Sequence, residues 1–143
     1  MRTTAILLLA ALAAGFAPAA RADYYVVVGE RNPVAALSQQ QVLQLFMGRT
    51  RSYPDGRPAA TCEIASDAQR AGFYRALSGM SLPQVTSYWA RLMFSGRNLP
   101  PQRLDSEAAV IERVQNDANA IGWLATAPRQ KGLRTVLVVR ETP

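Results

Sequence analysis

Residues 24–28 read Tyr-Tyr-Val-Val-Val. The run is rich in β-formers and almost wholly apolar, so the strand it predicts must be covered on both faces; a half-exposed strand would alternate apolar and polar residues instead. The flanking sequence supplies the cover. Asn32-Pro33 ends the strand in a turn, and Ser38 then opens a helix. Gln41 stands three residues on, in the S-x-x-Q form of a capping box, with Leu37 and Val42 at the positions of a hydrophobic staple. Val42, Leu45 and Phe46 make one apolar face, and Gly48 stops the helix. Tyr53-Pro54-Asp55-Gly56 is a turn signal, and a short strand is expected over Ala60 to Ile64.

Two further capping boxes follow. Ser66 precedes Gln69 and a helix carrying Phe73, Ala76 and Leu77; Ser81 precedes Gln84, with Pro83 tolerated in the first turn. In that third helix Val85, Tyr88, Trp89, Leu92 and Met93 follow the i, i+3, i+4, i+7, i+8 spacing of one buried face. Ser95-Gly96 ends it, and Pro100-Pro101 predicts a rigid loop. Ser106 caps a fourth helix with Val110, Ile111 and Val114 inward, and Ala120–Leu124 and Thr135–Val139 read as two short strands. The alternation predicts an α/β fold, a small central sheet flanked by about four helices. No repeat, low-complexity tract or linker divides the chain, so one core should use all these faces.

The chain has 143 residues. Met1 to Ala22 reads as a secretory signal peptide: Arg2 gives the positive start, Ala5 to Ala14 the apolar run, and Ala20-Arg21-Ala22 the small residues before a cut ahead of Asp23. The apolar run is half the roughly 20 residues that a spanning helix needs. Cleavage after Ala22 leaves residues 23–143 as one domain and predicts a periplasmic location. The formal charge of +6 falls to +4 once Arg2 and Arg21 leave. There is no histidine, which excludes a His base, a His metal ligand and a Ser-His-Asp triad. The one cysteine, Cys62, excludes an intrachain disulfide and a multi-Cys zinc site. It is either a buried, inert thiol in a strand or an exposed thiol that pairs with another protein.

Four stretches in order resemble one family. They are the apolar strand with Asn32-Pro33-Val34; Leu37-Ser38 through Gly48 to Tyr53-Pro54-Asp55-Gly56; Tyr88-Trp89-Ala90-Arg91 through Phe94-Ser95-Gly96 to Pro100-Pro101; and Ala109-Val110 with Val114, then Ala120-Ile121-Gly122-Trp123-Leu124. Together they resemble the phosphate-type substrate-binding proteins of ABC transporters, of the type II periplasmic-binding fold. The resemblance implies a single lobe of that fold: the chain is similar to the segment that builds the family's second lobe, and the segment for most of the first is absent. It also implies a small oxyanion such as phosphate as ligand and delivery to a membrane transporter.

In that family a Gly-Ser-Gly-Thr-Arg type loop opens the helix that holds the anion. The corresponding stretch is Ile64-Ala65-Ser66-Asp67-Ala68-Gln69-Arg70. Aligned on Phe73, Arg70 matches the family arginine, while Asp67, Ala68 and Gln69 stand where Ser, Gly and Thr would be. Two readings stay open. Ser66 to Arg70 is an ordinary cap, with Asp67 favouring the helix dipole and Arg70 solvated. Alternatively Ser66, Asp67, Gln69 and Arg70 form a modified oxyanion site, with hydroxyl and N–H donors and Arg70 as counter-charge.

Phe73, Trp89 and Phe94 are expected in the core, and Arg49, Arg51 and Arg57 in a solvated loop. No catalytic motif, P-loop or cofactor motif occurs, so neither an enzyme nor a metal or cofactor protein is expected. The modest charge, spread along the chain, argues against nucleic acid. Two functional expectations follow: a periplasmic solute-binding protein for an oxyanion, or a ligand-free single-lobe module that binds another periplasmic protein or itself.

Overall fold

The computed structural model describes Gly15, residues 21–96 and residues 98–141. The leader up to residue 20, Gly15 apart, lies outside the described residues. Strand β1 (Asp23–Gly29) begins at the first residue after the expected cut. It is followed by α1 (Gln39–Phe46), β2 (Ala60–Ile64), α2 (Asp67–Ser78), α3 (Leu82–Phe94), β3 (Gln102–Leu104), α4 (Glu107–Asn116), β4 (Ala120–Leu124) and β5 (Leu133–Arg140).

The strands form one sheet in the order β3-β2-β4-β1-β5. β2 pairs parallel with β3 and with β4, because helices make both crossovers; β1 pairs antiparallel with β4 and β5. The apolar run that predicted a doubly covered strand is β1, next to the central β4, whose five residues are all buried. Side chains alternate between two layers. Tyr24, Val26, Val28, Ile121 and Trp123 face α1, α2 and α3, while Val27, Ala120 and Leu124 face α4. Helices on both faces make this a mixed α/β lobe.

Close approach explains Gly122. A Cβ there would stand 2.8 Å from Val110 Cγ1 and 3.0 Å from Cys62 Sγ, so glycine lets α4 lie against the sheet. Gly48, at φ 65°, ends α1 in the left-handed region, with the Trp89 ring against it.

Cys62 is buried in β2 on the α4 side. Burial pushes its thiol from the ordinary 9.0 up to about 12, with Glu63 adding to the rise and Arg113 opposing it. We expect no reaction with a disulfide reagent at about pH 8 in the folded protein and one equivalent after unfolding, read by absorbance. The sign of the pH effect follows. The unfolded thiol ionises first, so this contribution to stability is whole below pH 9.0 and is lost as pH rises toward about 12.

Several expectations need correction. Ser38 and Ser81 complete capping boxes, but Ser66 makes only half of one: its oxygen accepts from the Gln69 N–H at 3.4 Å, and the Gln69 side chain does not return the bond. Pro100-Pro101 lies in a loop as expected, and the short strand β3 that follows it, paired to β2, had no counterpart in the sequence reading. Phe94 is not in the core but 97% exposed. It lies nine residues after Val85, about two and a half turns, and so on the opposite side of the helix. Met93, expected inward, is 51% exposed because the last turn of α3 overhangs the core. Arg57 is not simply solvated: it pairs with Asp55 at 2.9 Å, donates to Asn32 Oδ1 at 2.7 Å and lies over the Tyr53 ring.

Candidate functional site

β2 and β3 are adjacent and parallel, yet their following helices go to opposite faces: α2 joins α1 and α3, and α4 takes the other side. Such a switch opens a crevice outside the carboxyl ends of the strands, where ligands of open α/β sheets bind. The Ala65 N–H donates to the Leu104 carbonyl at 2.8 Å and ties the two strand ends together. Ser66 caps α2 and Ser106 caps α4, each two residues beyond the paired Ile64 and Leu104. Each serine oxygen accepts a bond from its own helix, from Gln69 N at 3.4 Å and Ala109 N at 3.1 Å, which keeps the hydroxyl proton for an outside acceptor. The first-turn N–H groups have no partner within their helices, and both dipoles present their positive ends here.

The same edge is acidic. Asp67 has a side chain 85% exposed, and Asp105 is exposed. Glu107 Oε1 accepts from Ala125 N at 2.8 Å and from Thr126 N at 3.0 Å. The pair of backbone donors after β4 is therefore filled by the chain's own carboxylate.

Arg70 stands elsewhere than either sequence reading put it. Its side chain is 4% exposed, neither solvated nor open to a ligand. Nε lies 3.0 Å from Glu63 Oε1, itself 1% exposed, and Nη1 lies 3.4 Å from Asp67 Oδ1. Glu63 Oε2 also accepts from the Tyr74 hydroxyl at 2.8 Å and from Trp123 Nε1 at 3.4 Å. Burial, and then the carboxylate beside it, hold the Tyr74 hydroxyl well above its usual pKa, so it stays a donor. The cause is geometric. Cys62 faces α4, so Glu63 must face α2, and side chains on a helix lean toward its N-terminus. Arg70 is thereby folded over the end of β2 and bridges two carboxylates beneath the first turn of α2.

Of the four expected site residues, Ser66 and Asp67 stand just beyond the carboxyl end of β2, where such a switch places a ligand. Arg70 lies beneath them. Gln69 is half-buried, and its Oε1 has no hydrogen-bond partner among the described residues. Ser106, Glu107 and Glu63 were missed. Ser106-Glu107-Ala108 matches the Ser-acid-Ala start of Ser66-Asp67-Ala68, a signal readable from the chain. Glu63 had none, since a strand residue and a helix residue seven positions apart follow no local rule. Among the described residues no three His, Cys, Asp or Glu side chains come together as a metal site. Hydroxyl and N–H donors beside an exposed carboxylate suit a small anion that carries a proton of its own.

No protein-family model and no curated protein matches the chain. Solved structures do. A protein assigned as a phosphate ABC transporter substrate-binding protein with bound phosphate, from Clostridium perfringens, aligns with a TM-score of 0.64 and 16% identity over 82% of this chain and 45% of that one. An ABC-type phosphate transport receptor from Vibrio cholerae gives 0.62 and 17% over 82% and 46%. A protein described as phosphate-binding, from Planctomyces limnophilus, gives 0.58 and 10% over 80% and 41%. The likeness shows the fold: one lobe of a periplasmic-binding-protein-like architecture. The chain spans less than half the length of each of these proteins.

Proposed function

We propose that this chain is a one-lobed solute-binding protein that offers half of an oxyanion site at the carboxyl ends of β2 and β3, with phosphate as the ligand. The observation that carries this reading is the pair of serine-capped helix N-termini meeting at the switch point. In it the Ser66 hydroxyl and the first-turn N–H groups of α2 donate to the anion. Asp67 accepts a proton-bearing oxygen, which phosphate has near neutral pH and sulfate lacks. Gln69 packs behind the site. Arg70 is a positioning residue, holding Asp67 and offsetting Glu63 without touching the ligand. Export with cleavage after Ala22, the domain 23–143 and a membrane transporter as receiver belong to the same reading. The phosphate-bound structural neighbour supports it, and so does the lack of any helix among the described residues long and apolar enough to cross a membrane.

Isothermal calorimetry of the processed chain tests it. We expect saturable phosphate binding in the millimolar range, weak because one lobe supplies half of the contacts, and weaker binding of sulfate. Asp67→Asn should erase the preference by giving sulfate a donor. No heat at millimolar phosphate would reject this reading.

One observation favours a second reading. The arginine that would face an anion is matched by the chain's own Glu63 and Asp67. A ligand-free module that binds a periplasmic protein, or itself, needs no free cation in the crevice. A complex on size-exclusion chromatography, with no phosphate heat, would select it.

A further inference from the structure

The end of the lobe opposite the crevice carries an apolar tip. The chain leaves α3 through Ser95-Gly96 and enters β3 at its first residue, so this tip lies at the amino ends of β2 and β3. Phe94 is 97% exposed, Leu99 77% and Met93 51%, and they account for three of the four large apolar side chains exposed among the described residues. A shallow groove of about 310 Å³ lies between Met93, Gly96, Asn98, Leu99 and Arg51. Asn98 Nδ2 donates to the Gly48 carbonyl at 3.0 Å, which ties the tip to the turn after α1 and brings exposed Arg49 beside it. Arg91 is exposed three residues before Phe94, on the same helix face.

The charge around this tip has one sign. No Asp or Glu occurs in residues 31–54 or 68–104, the two stretches that build it. Asp67, Asp105 and Glu107 stand at the carboxyl edge, and the acids at the amino end of β2, Asp55 and Asp117, are each paired with an arginine, Arg57 at 2.9 Å and Arg113 at 3.4 Å. We propose that this tip seats on an anionic phospholipid surface. Phe94, Met93 and Leu99 enter the boundary between headgroups and acyl chains, and the arginines meet the phosphates. Arginine donates to phosphate in a bidentate fork, and apolar side chains among arginines, on stretches that carry no acid of their own, match that layer chemically. A second copy of the chain would set like charges against each other. The crevice, at the other end, stays open to solvent while the tip is seated.

The test is co-sedimentation of the processed chain, its N-terminus fixed by intact mass, with vesicles of phosphatidylglycerol in phosphatidylcholine and of phosphatidylcholine alone. We expect at least about tenfold stronger partitioning onto the anionic vesicles, reduced by raised salt. Phe94→Ser with Leu99→Ser should lower it by about tenfold or more, and Arg91→Glu severalfold, with the salt dependence flattened. Both changes are on exposed side chains, so an unchanged Tm shows that folding is intact. Equal binding to both vesicle types, or binding that ignores these substitutions, would overturn the proposal. So would a photo-crosslinker at position 94 that captures a protein and no lipid in exporting cells.

Discussion

Glu63→Ala should lower the unfolding free energy by about 3–5 kcal/mol, the loss expected when one member of a buried ion pair is removed. The change takes the closer of two carboxylates from the Arg70 guanidinium, buried at 4% exposure, keeps the 3.4 Å contact to Asp67, and leaves the Tyr74 hydroxyl and Trp123 Nε1 without their shared acceptor. Against the roughly 5–15 kcal/mol by which domains are stable, such a loss removes most of the margin. Urea denaturation followed by fluorescence measures it. Glu63→Gln with Arg70→Met is the informative companion. Gln keeps an acceptor for Tyr74 and Trp123, and no charge is left in need of a partner. The double variant should therefore be more stable than Glu63→Ala. A Glu63→Ala protein within about 1 kcal/mol of the parent would mean that Arg70 finds water or another acceptor, and the buried-pair account would be abandoned.

Phe73→Ala should cost a similar amount, about 3–5 kcal/mol, for a different reason. Phe73 is fully buried on α2 and is the hub of an aromatic cluster. It stacks on Trp123 at 4.5 Å and 13°, and meets Tyr24, Phe46 and Tyr74 edge-on at 5.2–5.8 Å. Truncation forfeits the burial of a ring, leaves a cavity that four rigid neighbours cannot fill, and removes the ring contacts. Phe73→Leu keeps most of the apolar volume and should cost about half as much. Equal losses for the two variants would show that the ring contacts, not the filled volume, hold α2 to the sheet. Glu63 on β2 and Phe73 on α2 both touch Trp123, so their effects should not add.

The contrast between these two residues separates what could be read locally from what could not. Phe73 was expected in the core because it falls on the apolar face of a helix opened by Ser66. Arg70, one turn earlier, was expected either in solvent or on a ligand, because its partner lies on a strand whose facing is known only once Cys62 is seen against α4. The resemblance to the phosphate-type binding proteins put Arg70 at the position of an anion-binding arginine, but a position in an alignment does not give the direction of a side chain. Phe94 shows the reverse: the amphipathic pattern of α3 suggested burial, but nine residues from Val85 is about two and a half turns, and that spacing puts Phe94 on the opposite, exposed side.

Short-range rules were sufficient for the elements, the helix starts and the α/β class, because caps, turns and apolar periodicity act within a few residues. Strand order, the switch between β2 and β3, the enclosure of Arg70 by Glu63 and the exposed tip at Phe94 rest on contacts between distant parts of the chain. Those depend on which face each element buries, and that is decided only when the layers pack.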